Sequence, residues 1–409
     1  MVRFFLIILV CFLSVQVLVF MNWWRRLVGR PRWRAGLIAL FVAANLPWLY
    51  LPRTWGIPDL PPDWVIALIV RPFMTWQVGL LLWLVLVAAL SLLALIFFRI
   101  PARLAVWFHR GGVGTVGAPP ADPGRRDFLV RSARAAAWGG ALALGGWGLV
   151  RSSFGPCLVR HDLELPGLPA ALDGLRIAHL TDIHIGRSIT EAELDRALDL
   201  AGQLKPDLVV ITGDIVDENP AFTRILTGRL DLLGRPPLGV FGIIGNHDVY
   251  TGADAVTAGL EAGRMVMLRN RHHSLEHLGL PLSLVGLDDP GRQWTGSGGL
   301  LPLNTAVKGM PEHHFPILLV HRPTAFDQAR ANGIPLTLCG HTHGGQFGLP
   351  GGPNLADLAY EYTHGVYRRP GGLVHVSAGL GAVGLPIRIG VDPEVALLVL
   401  KAKPARTET

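Results

Sequence analysis

Five short polar clusters lie in the second half of the chain, each directly after a run of apolar residues. In chain order they are Asp182-Ile183-His184, Gly213-Asp214 with Asp217, Gly245-Asn246-His247-Asp248, the lone His321, and Gly340-His341-Thr342-His343. Carboxylate, imidazole and amide side chains are ligands that suit Mn, Fe or Zn. The neighbouring glycines allow tight turns and close approach of the backbone. The clusters therefore indicate metal chemistry.

Each cluster alone has an ordinary explanation, since a single Asp-x-His commonly caps a helix and a single Gly-Asp commonly forms a turn. His341 and His343 are a stronger signal, because two histidines within three residues rarely serve packing alone. Five clusters in series are hard to attribute to chance. A binuclear centre needs one shared ligand, which Asp214 is placed to supply. Two cations about 3.5–4 Å apart activate a water and clamp the attacked phosphate.

The apolar runs before these clusters are typical of buried strands. Strands are predicted at residues 175–180, 208–212, 240–244, 317–320, 336–339, 373–377 and 395–400, with a helix at 190–204. Alternating strands and helices predict a layered α/β fold. In such folds the loops that carry ligands gather at the strand ends.

The first 150 residues have a different composition. Half of all 409 residues are hydrophobic and only 16% are charged, against about 25% in a typical soluble protein. Apolar runs at 4–20, 35–51, 78–98 and 135–150 approach the roughly 20 residues that a membrane span needs. The chain therefore divides into a transmembrane region with about four helices (1–150), a linker (151–162), a catalytic domain (163–403) and a tail (404–409). Buried helices of a soluble protein are the alternative.

Arginines flank these runs asymmetrically. Five lie between the first and second runs and seven between the third and fourth, whereas the connection between the second and third has only Arg53 and Arg71. Positive loops stay in the cytoplasm, so four spans place the catalytic half on the opposite face. Arg125-Arg126-Asp127 resembles a twin-arginine export signal, although a plain positive flank explains it equally well. The net charge of +7 is therefore attributed to interaction with an anionic membrane surface, and no nucleic-acid partner is expected.

In their order, the clusters resemble the signature of the calcineurin-like metallophosphoesterase superfamily, over about residues 170 to 400. The stretch from Gly340 to Gln346, with the apolar N-terminal region, resembles the bacterial membrane-associated branch of phosphodiesterases. This resemblance implies a four-layer α/β/β/α sandwich, here preceded by an all-α transmembrane region. It also implies two divalent cations, with Mn favoured over Fe or Zn.

The resemblance implies a role for each motif position. One metal would be held by Asp182, His184 and His343, the second by Asn246, His321 and His341, with Asp214 bridging both. His247 would face the phosphate and stabilise the transition state or protonate the leaving oxygen. Asp217 would accept a hydrogen bond from His247 and orient it. Asp248 is expected to be structural.

The expected function is a membrane-anchored phosphoesterase that hydrolyses phosphate mono- or diesters, with lipid-linked or envelope substrates favoured. It would lie in the bacterial inner membrane, with the catalytic domain on the periplasmic or extracellular face. Residues 346–370 include Phe347, Leu349, Tyr360, Tyr362 and Tyr367, which form either a lipid-facing rim or ordinary loop packing. One alternative is an enzyme like UDP-2,3-diacylglucosamine pyrophosphate hydrolase, which needs cytoplasmic access. Another is an inactive membrane receptor or scaffold with the same fold.

Overall fold

The computed structural model describes residues 2–50, 62–94, 96, 155–186, 188–276, 279–291, 302–384 and 388–403, with a few isolated residues between 128 and 143. The chain divides into two compact units. One comprises Met1–Tyr50 and Pro72–Trp147, and the other comprises Leu51–Arg71 and Gly148–Thr409. The twin-arginine segment, most of the fourth apolar run and the tail 404–409 lie outside the described residues.

Helices form the described part of the N-terminal region. They are α1 (Val2–Arg26), α2 (Pro31–Asn45), α3 (Pro47–Tyr50), α4 (Asp63–Val65) and α5 (Arg71–Ala94), with a π-helical turn at Ile66–Val70 that leads from α4 into α5. Among the described residues, one helical stretch, Asp63–Ala89, is long and apolar enough to cross a membrane. The described residues 78–94 of the third apolar run, which was predicted at 78–98, therefore belong to a helix that starts earlier in the chain. The predicted number of four spans stays a prediction.

The second unit is a mixed α/β domain with two sheets. Its strands are β1 (Cys157–Leu165), β2 (Arg176–Leu180), β3 (Leu208–Thr212), β4 (Val240–Ile243), β5 (Val266–Met267), β6 (Arg271–Ser274), β7 (Leu282–Gly286), β8 (Phe315–Leu319), β9 (Leu336–Cys339), β10 (Gly365–Arg369), β11 (Gly372–Val376) and β12 (Glu394–Ala402). Its further helices are α6 (Glu191–Gln203), α7 (Thr223–Thr227), α8 (Asn246–Glu261), α9 (Leu303–Ala306) and α10 (Phe326–Ala331).

The strands form two six-stranded sheets, in the orders β1-β12-β2-β3-β4-β5 and β10-β11-β9-β8-β7-β6. Strands β2 to β5 are mutually parallel, as are β7, β8, β9 and β11. Parallel strands end at the same edge, so the loops after β2, β3 and β4 gather together, and so do those after β8 and β9. All five ligand-bearing clusters follow one of these strands.

Strand β3 shows how the layers pack. Val209 and Ile211 lie in an apolar core shared with helices α6, α7 and α8. Leu208 and Val210 point to the other face, in the core between the two sheets. Successive strand residues point to opposite faces, and a strand that is buried on both reads as a continuous apolar run. A third core packs α10 on the outer face of the second sheet.

One boundary differs from the sequence prediction. Residues 157–162, assigned to a linker, are part of β1, which pairs in parallel with β12 over its whole length, from Cys157 with Glu394 to Leu165 with Ala402. Charged and apolar residues alternate in this strand, and its side chains are alternately exposed and half-buried at its start. The sequence of such an edge strand contains no continuous apolar run from which it could be predicted. The strand forms because β12 pairs with it along its whole length.

Candidate metal centre

The loops after the strands bring the predicted ligands into two adjoining groups. Asp182, His184 and His343 form one, and Asp214, His321 and His341 form the other, with the potential ligand atoms of each group within 4.8 Å of one another. His343 Nε2 lies 3.3 Å from Asp182 Oδ1 and 3.2 Å from His184 Nε2. In the second group, His341 Nδ1 lies 3.2 Å from His321 Nε2.

Asp214 connects the two groups. Its Oδ2 lies 3.2 Å from His321 Nε2 in one group and 3.6 Å from His184 Nε2 in the other. Its Oδ1 accepts a hydrogen bond from the His247 backbone N–H at 2.8 Å. The carboxylate is almost wholly buried, so these contacts leave it little freedom. This is the position that a bridging ligand requires.

The backbone at the candidate ligands is unusual. Five of the seven have a positive φ, a region that residues other than glycine rarely adopt: Asp182 (49°), His184 (50°), Asp214 (50°), His341 (73°) and His343 (51°). Such conformations cost free energy and cluster at functional sites. The adjacent glycines are needed for space, because a Cβ at Gly340 would overlap Asp182 Oδ2 and one at Gly245 would overlap Asp214 Oδ1.

Asp217 contacts two histidines. Its Oδ1 lies 3.1 Å from His247 Nδ1, which is the contact that the sequence predicts. The same oxygen accepts a hydrogen bond from His184 Nδ1, which the sequence did not reveal. This second contact leaves His184 Nε2 to face Asp214, and a histidine that ligates metal typically donates its other N–H to a carboxylate in this way. Asp217 thus links the candidate ligand set to His247.

Three further side chains hold the histidine ligands in place. His341 Nε2 lies 3.1 Å from the Tyr360 hydroxyl and 3.3 Å from Arg322 Nη1. Arg388 Nη2 lies 3.3 Å from His343 Nδ1, and Arg388 also donates to the His343 carbonyl. Tyr360 was considered from the sequence, but not for this role, and Arg322 could have been noticed from its place directly after His321. His321 itself is fixed through Nδ1, which donates to the Thr212 carbonyl at 2.9 Å.

Asn246 and Asp248 are both buried at the start of α8. The Asp248 carboxylate accepts hydrogen bonds from the backbone N–H groups of Ile215, Val216 and Gly245. It therefore ties the loop after β3 to the loop after β4, which fits the structural role expected for it. Asn246 Oδ1, by contrast, is buried with no hydrogen-bond partner.

The four candidate ligand histidines fall into two pairs by the direction of their pKa shifts. Burial alone would lower the pKa of His184 and His321, but the surrounding carboxylates, Asp217 and Asp214 foremost, raise them to about 9 and about 10. Burial and nearby cationic groups keep the pKa of His341 and His343 well below the usual value. The carboxylates thus favour positive charge at two points in the centre, while His341 and His343 stay neutral.

The residues fit two divalent cations. Asp182 Oδ1 and Asn246 Oδ1 are buried acceptors without hydrogen-bond partners, and such atoms are costly unless an ion or a water satisfies them. Four imidazoles, two carboxylates and an amide oxygen form a donor set for Mn, Fe or Zn. This donor set would suit divalent cations, with Asp214 placed to be shared between the two ligand groups.

A family model for calcineurin-like phosphoesterases matches residues 175–345. The chain is 32% identical over 291 residues to the uncharacterized metallophosphoesterase YkuE of Bacillus subtilis, covering 68% of this chain and 98% of that one. It is 34% identical over 266 residues to a Danio rerio protein named as a transmembrane protein with metallophosphoesterase domain, of which it spans 60%. Among solved structures, a 5′-nucleotidase precursor from Thermus thermophilus is 16% identical with a TM-score of 0.34, covering 56% of this chain and 55% of that one.

Proposed function

Since the chain belongs to the calcineurin-like phosphoesterase family and is a metal-dependent phosphoester hydrolase, we propose that it hydrolyses phosphate mono- or diesters at a dinuclear centre while anchored in a membrane. The observation that carries the proposal is the place of Asp214 Oδ2, 3.2 Å from His321 Nε2 and 3.6 Å from His184 Nε2. One carboxylate thereby joins the two groups of potential ligands. The three apolar cores, one between the sheets and one on the outer face of each, also suit the four-layer sandwich that the family resemblance implies.

Each side chain then has a part in the reaction. Bound cations would activate a water and neutralise charge on the phosphoryl oxygens. They would be held by Asp182, His184 and His343 on one side and by Asn246, His321 and His341 on the other, with Asp214 shared. His247 Nδ1 faces Asp217, which leaves Nε2 for the substrate. The oxygen of the activated water would bond to phosphorus as the ester P–O bond breaks, and the proton that this water loses would pass to solvent. His247 Nε2–H would donate its proton to the leaving oxygen, so that the product leaves as a neutral alcohol.

Loading the full-length chain, in detergent, with Mn²⁺ distinguishes an active hydrolase from an inactive scaffold. We expect two bound Mn²⁺ at the centre and turnover of bis(p-nitrophenyl) phosphate or p-nitrophenyl phosphate. A chelator should abolish this turnover, and fresh Mn²⁺ should restore it. Two bound metals without hydrolysis of either ester would favour the scaffold. Failure to bind any metal would overturn the ligand assignment itself.

The distribution of side chains in the N-terminal unit supports the membrane anchor, because amide side chains are hydrogen-bonded between its helices while large apolar side chains are exposed. Gln16 Nε2 donates to Gln77 Oε1 at 2.8 Å and Asn45 Nδ2 donates to Gln16 Oε1 at 2.7 Å, so amides connect α1, α2 and α5. Large apolar side chains on the same helices, such as Leu40 and Val85, are exposed. Water favours the opposite arrangement, whereas interhelical amide hydrogen bonds inside an apolar exterior are typical of membrane bundles.

A buried contact supports the predicted sidedness. Arg71 donates from Nη1 to Glu193 Oε1 at 2.7 Å and from Nη2 to Glu193 Oε2 at 2.5 Å, and both side chains are less than 9% exposed. Burial would raise the pKa of Glu193, but Arg71 keeps it below the usual value. The Asp63 carboxylate accepts from the backbone N–H groups of Glu191 and Ala192, at the start of α6. The segment 63–71 is thereby fixed to the phosphoesterase domain.

This contact constrains the path of the chain. If 63–71 touches the domain, the chain crosses the membrane an even number of times between Arg71 and Cys157. The apolar run at 135–150 would then cross together with α5. The domain would lie on the same face as the arginine-poor connection between the second and third runs, which the positive-inside rule places outside the cytoplasm.

Cysteine accessibility in intact cells tests the path. In a background without native cysteines, we expect single cysteines at the exposed positions Trp64 and Leu232 to react equally with an impermeant maleimide. A cysteine at exposed Val28, in the arginine-rich loop between α1 and α2, should react only after permeabilisation. Opposite behaviour of positions 64 and 232 would refute the contact. The reverse pattern for all three positions would place the domain in the cytoplasm.

An apolar rim favours a lipid-linked substrate. Leu349, Leu355 and Leu358 are all exposed, on the segment that leads to Tyr360, whose hydroxyl contacts His341. Tyr362, for which the sequence left a rim or ordinary loop packing open, is buried against the rings of Phe326 and Tyr367, as loop packing requires. An enzyme of the UDP-2,3-diacylglucosamine pyrophosphate hydrolase type remains the alternative, and the maleimide pattern that puts the domain in the cytoplasm would favour it.

A further inference from the structure

A second group of potential metal ligands lies at the opposite end of the second sheet. Glu276 follows β6, and His313 and His314 directly precede β8. The candidate metal centre lies beyond the other end of β8, at His321. Seven residues of extended chain span about 20 Å, so the second group is separate from the first.

The three side chains converge. His313 Nε2 lies 3.5 Å from Glu276 Oε1, and His314 Nε2 lies 3.8 Å from Glu276 Oε2. All three potential ligand atoms lie within 4.8 Å of one another. Ligands about 2.0–2.1 Å from a tetrahedral zinc ion are separated by about 3.4 Å. The two nitrogen–oxygen distances are therefore near those of a zinc site, and small rotations of the exposed His313 and Glu276 side chains would complete it.

His314 provides independent evidence for a ligand. Its side chain is fully buried, yet its Nε2 has no hydrogen-bond partner. Leaving a buried polar atom unsatisfied costs roughly 1–3 kcal/mol. This atom is directed toward Glu276, where a cation held by the three side chains would satisfy it.

The other nitrogen of His314 is held as a metal ligand requires. Nδ1 lies 2.8 Å from the buried Ser283 hydroxyl and 3.4 Å from the Ser274 hydroxyl. Ser274 and Ser283 are directly paired across β6 and β7, so the sheet register presents both hydroxyls to the ring. A proton on Nδ1, donated to Ser283, leaves the Nε2 lone pair free for a metal.

We propose that Glu276, His313 and His314 bind one divalent cation, with Zn²⁺ preferred, at a site distinct from the dinuclear centre. Two imidazoles and one carboxylate are a known zinc ligand set, with a water in the fourth position. The ion would join the end of β6, an edge strand of its sheet, to the turn before β8. Its role would be to stabilise this edge.

The test is Zn²⁺ binding to the full-length chain in detergent, with the dinuclear centre already filled with Mn²⁺. We expect one further equivalent of Zn²⁺ in the wild type. Glu276→Gln and His313→Ala should each weaken it at least about 100-fold, since even outer-shell partners are worth 10–100-fold. Ser283→Ala should weaken it about 10–100-fold, an effect that only an oriented His314 ligand predicts. Glu312→Gln, an exposed acid beside the site, should have no effect.

Measuring phosphoesterase turnover distinguishes a failure of this proposal from a failure of the proposed function. Glu276→Gln and His313→Ala should turn over bis(p-nitrophenyl) phosphate at the wild-type rate, because they lie far from the dinuclear centre. Unchanged Zn²⁺ affinity in both variants would overturn the second site, whatever the activity. Equal weakening by Glu312→Gln would also overturn it, because it would show only non-specific attraction to surface acids.

Discussion

Asp214→Asn is expected to lose metal and turnover together. The carboxylate contacts both ligand groups, with Oδ2 3.2 Å from His321 Nε2 and 3.6 Å from His184 Nε2. Asparagine keeps the size of the side chain and one carbonyl oxygen, but it removes the negative charge that the two cations would share. Metal ions contribute several kcal/mol of transition-state stabilisation, so turnover should fall at least about 10³-fold at 1.36 kcal/mol per factor of ten.

The measurement pairs the Mn²⁺ content of the full-length chain with its rate on bis(p-nitrophenyl) phosphate. The variant should bind fewer Mn²⁺ ions than the wild type at equal protein and metal concentration. Asp254→Asn is the matched control, since that carboxylate is almost fully exposed and far along α8 from the centre, and it should change neither quantity. A folded Asp214→Asn variant with wild-type metal content and rate would rule out the bridging role.

The domain core could be predicted from the sequence because its strands are buried on both faces. Strands β3 and β9 begin and end at the residues predicted for them, and the other predicted strands agree to within a few residues. Five strands were missed: β1, β5, β6, β7 and β10. Strand β5 has only two residues, and β7 was not predicted although all five of its residues are buried. Strands β1, β6 and β10 lie at sheet edges and carry charged or polar residues, and such strands depend on pairing more than on their own composition.

The candidate ligands could be predicted because each lies within a short motif. The side chains that hold these ligands in place could not be predicted, because they come from distant parts of the chain. Arg388 lies 45 residues after His343 and reaches it only through the fold. The contact of Asp217 with His184 depends on the loop after β3 folding back along the loop after β2, where Ile185 and Val216 form an isolated bridge. Pairings of this kind have no local signature.

His247→Ala is expected to separate metal binding from catalysis. His247 is not in either ligand group, and its bond to Asp214 comes from the backbone N–H, which alanine retains. Metal content should therefore stay at the wild-type level. Loss of a general acid costs roughly 10²–10⁴-fold in rate, and the rate on bis(p-nitrophenyl) phosphate should fall accordingly. His313→Ala, at the far end of β8, is the matched histidine control and should keep full turnover.

The leaving group decides which role His247 has. If it protonates the leaving oxygen, its removal should matter more for an alkyl ester, whose alkoxide is strongly basic, than for a nitrophenyl ester, whose phenolate is stable without a proton. If it only stabilises charge on the phosphoryl group, both substrates should lose the same factor. Asp217→Asn should reproduce the loss and also weaken metal binding, because the same oxygen holds His184 and His247. A His247→Ala variant with full metal and normal rates on both esters would leave Asp217 as support for His184 alone.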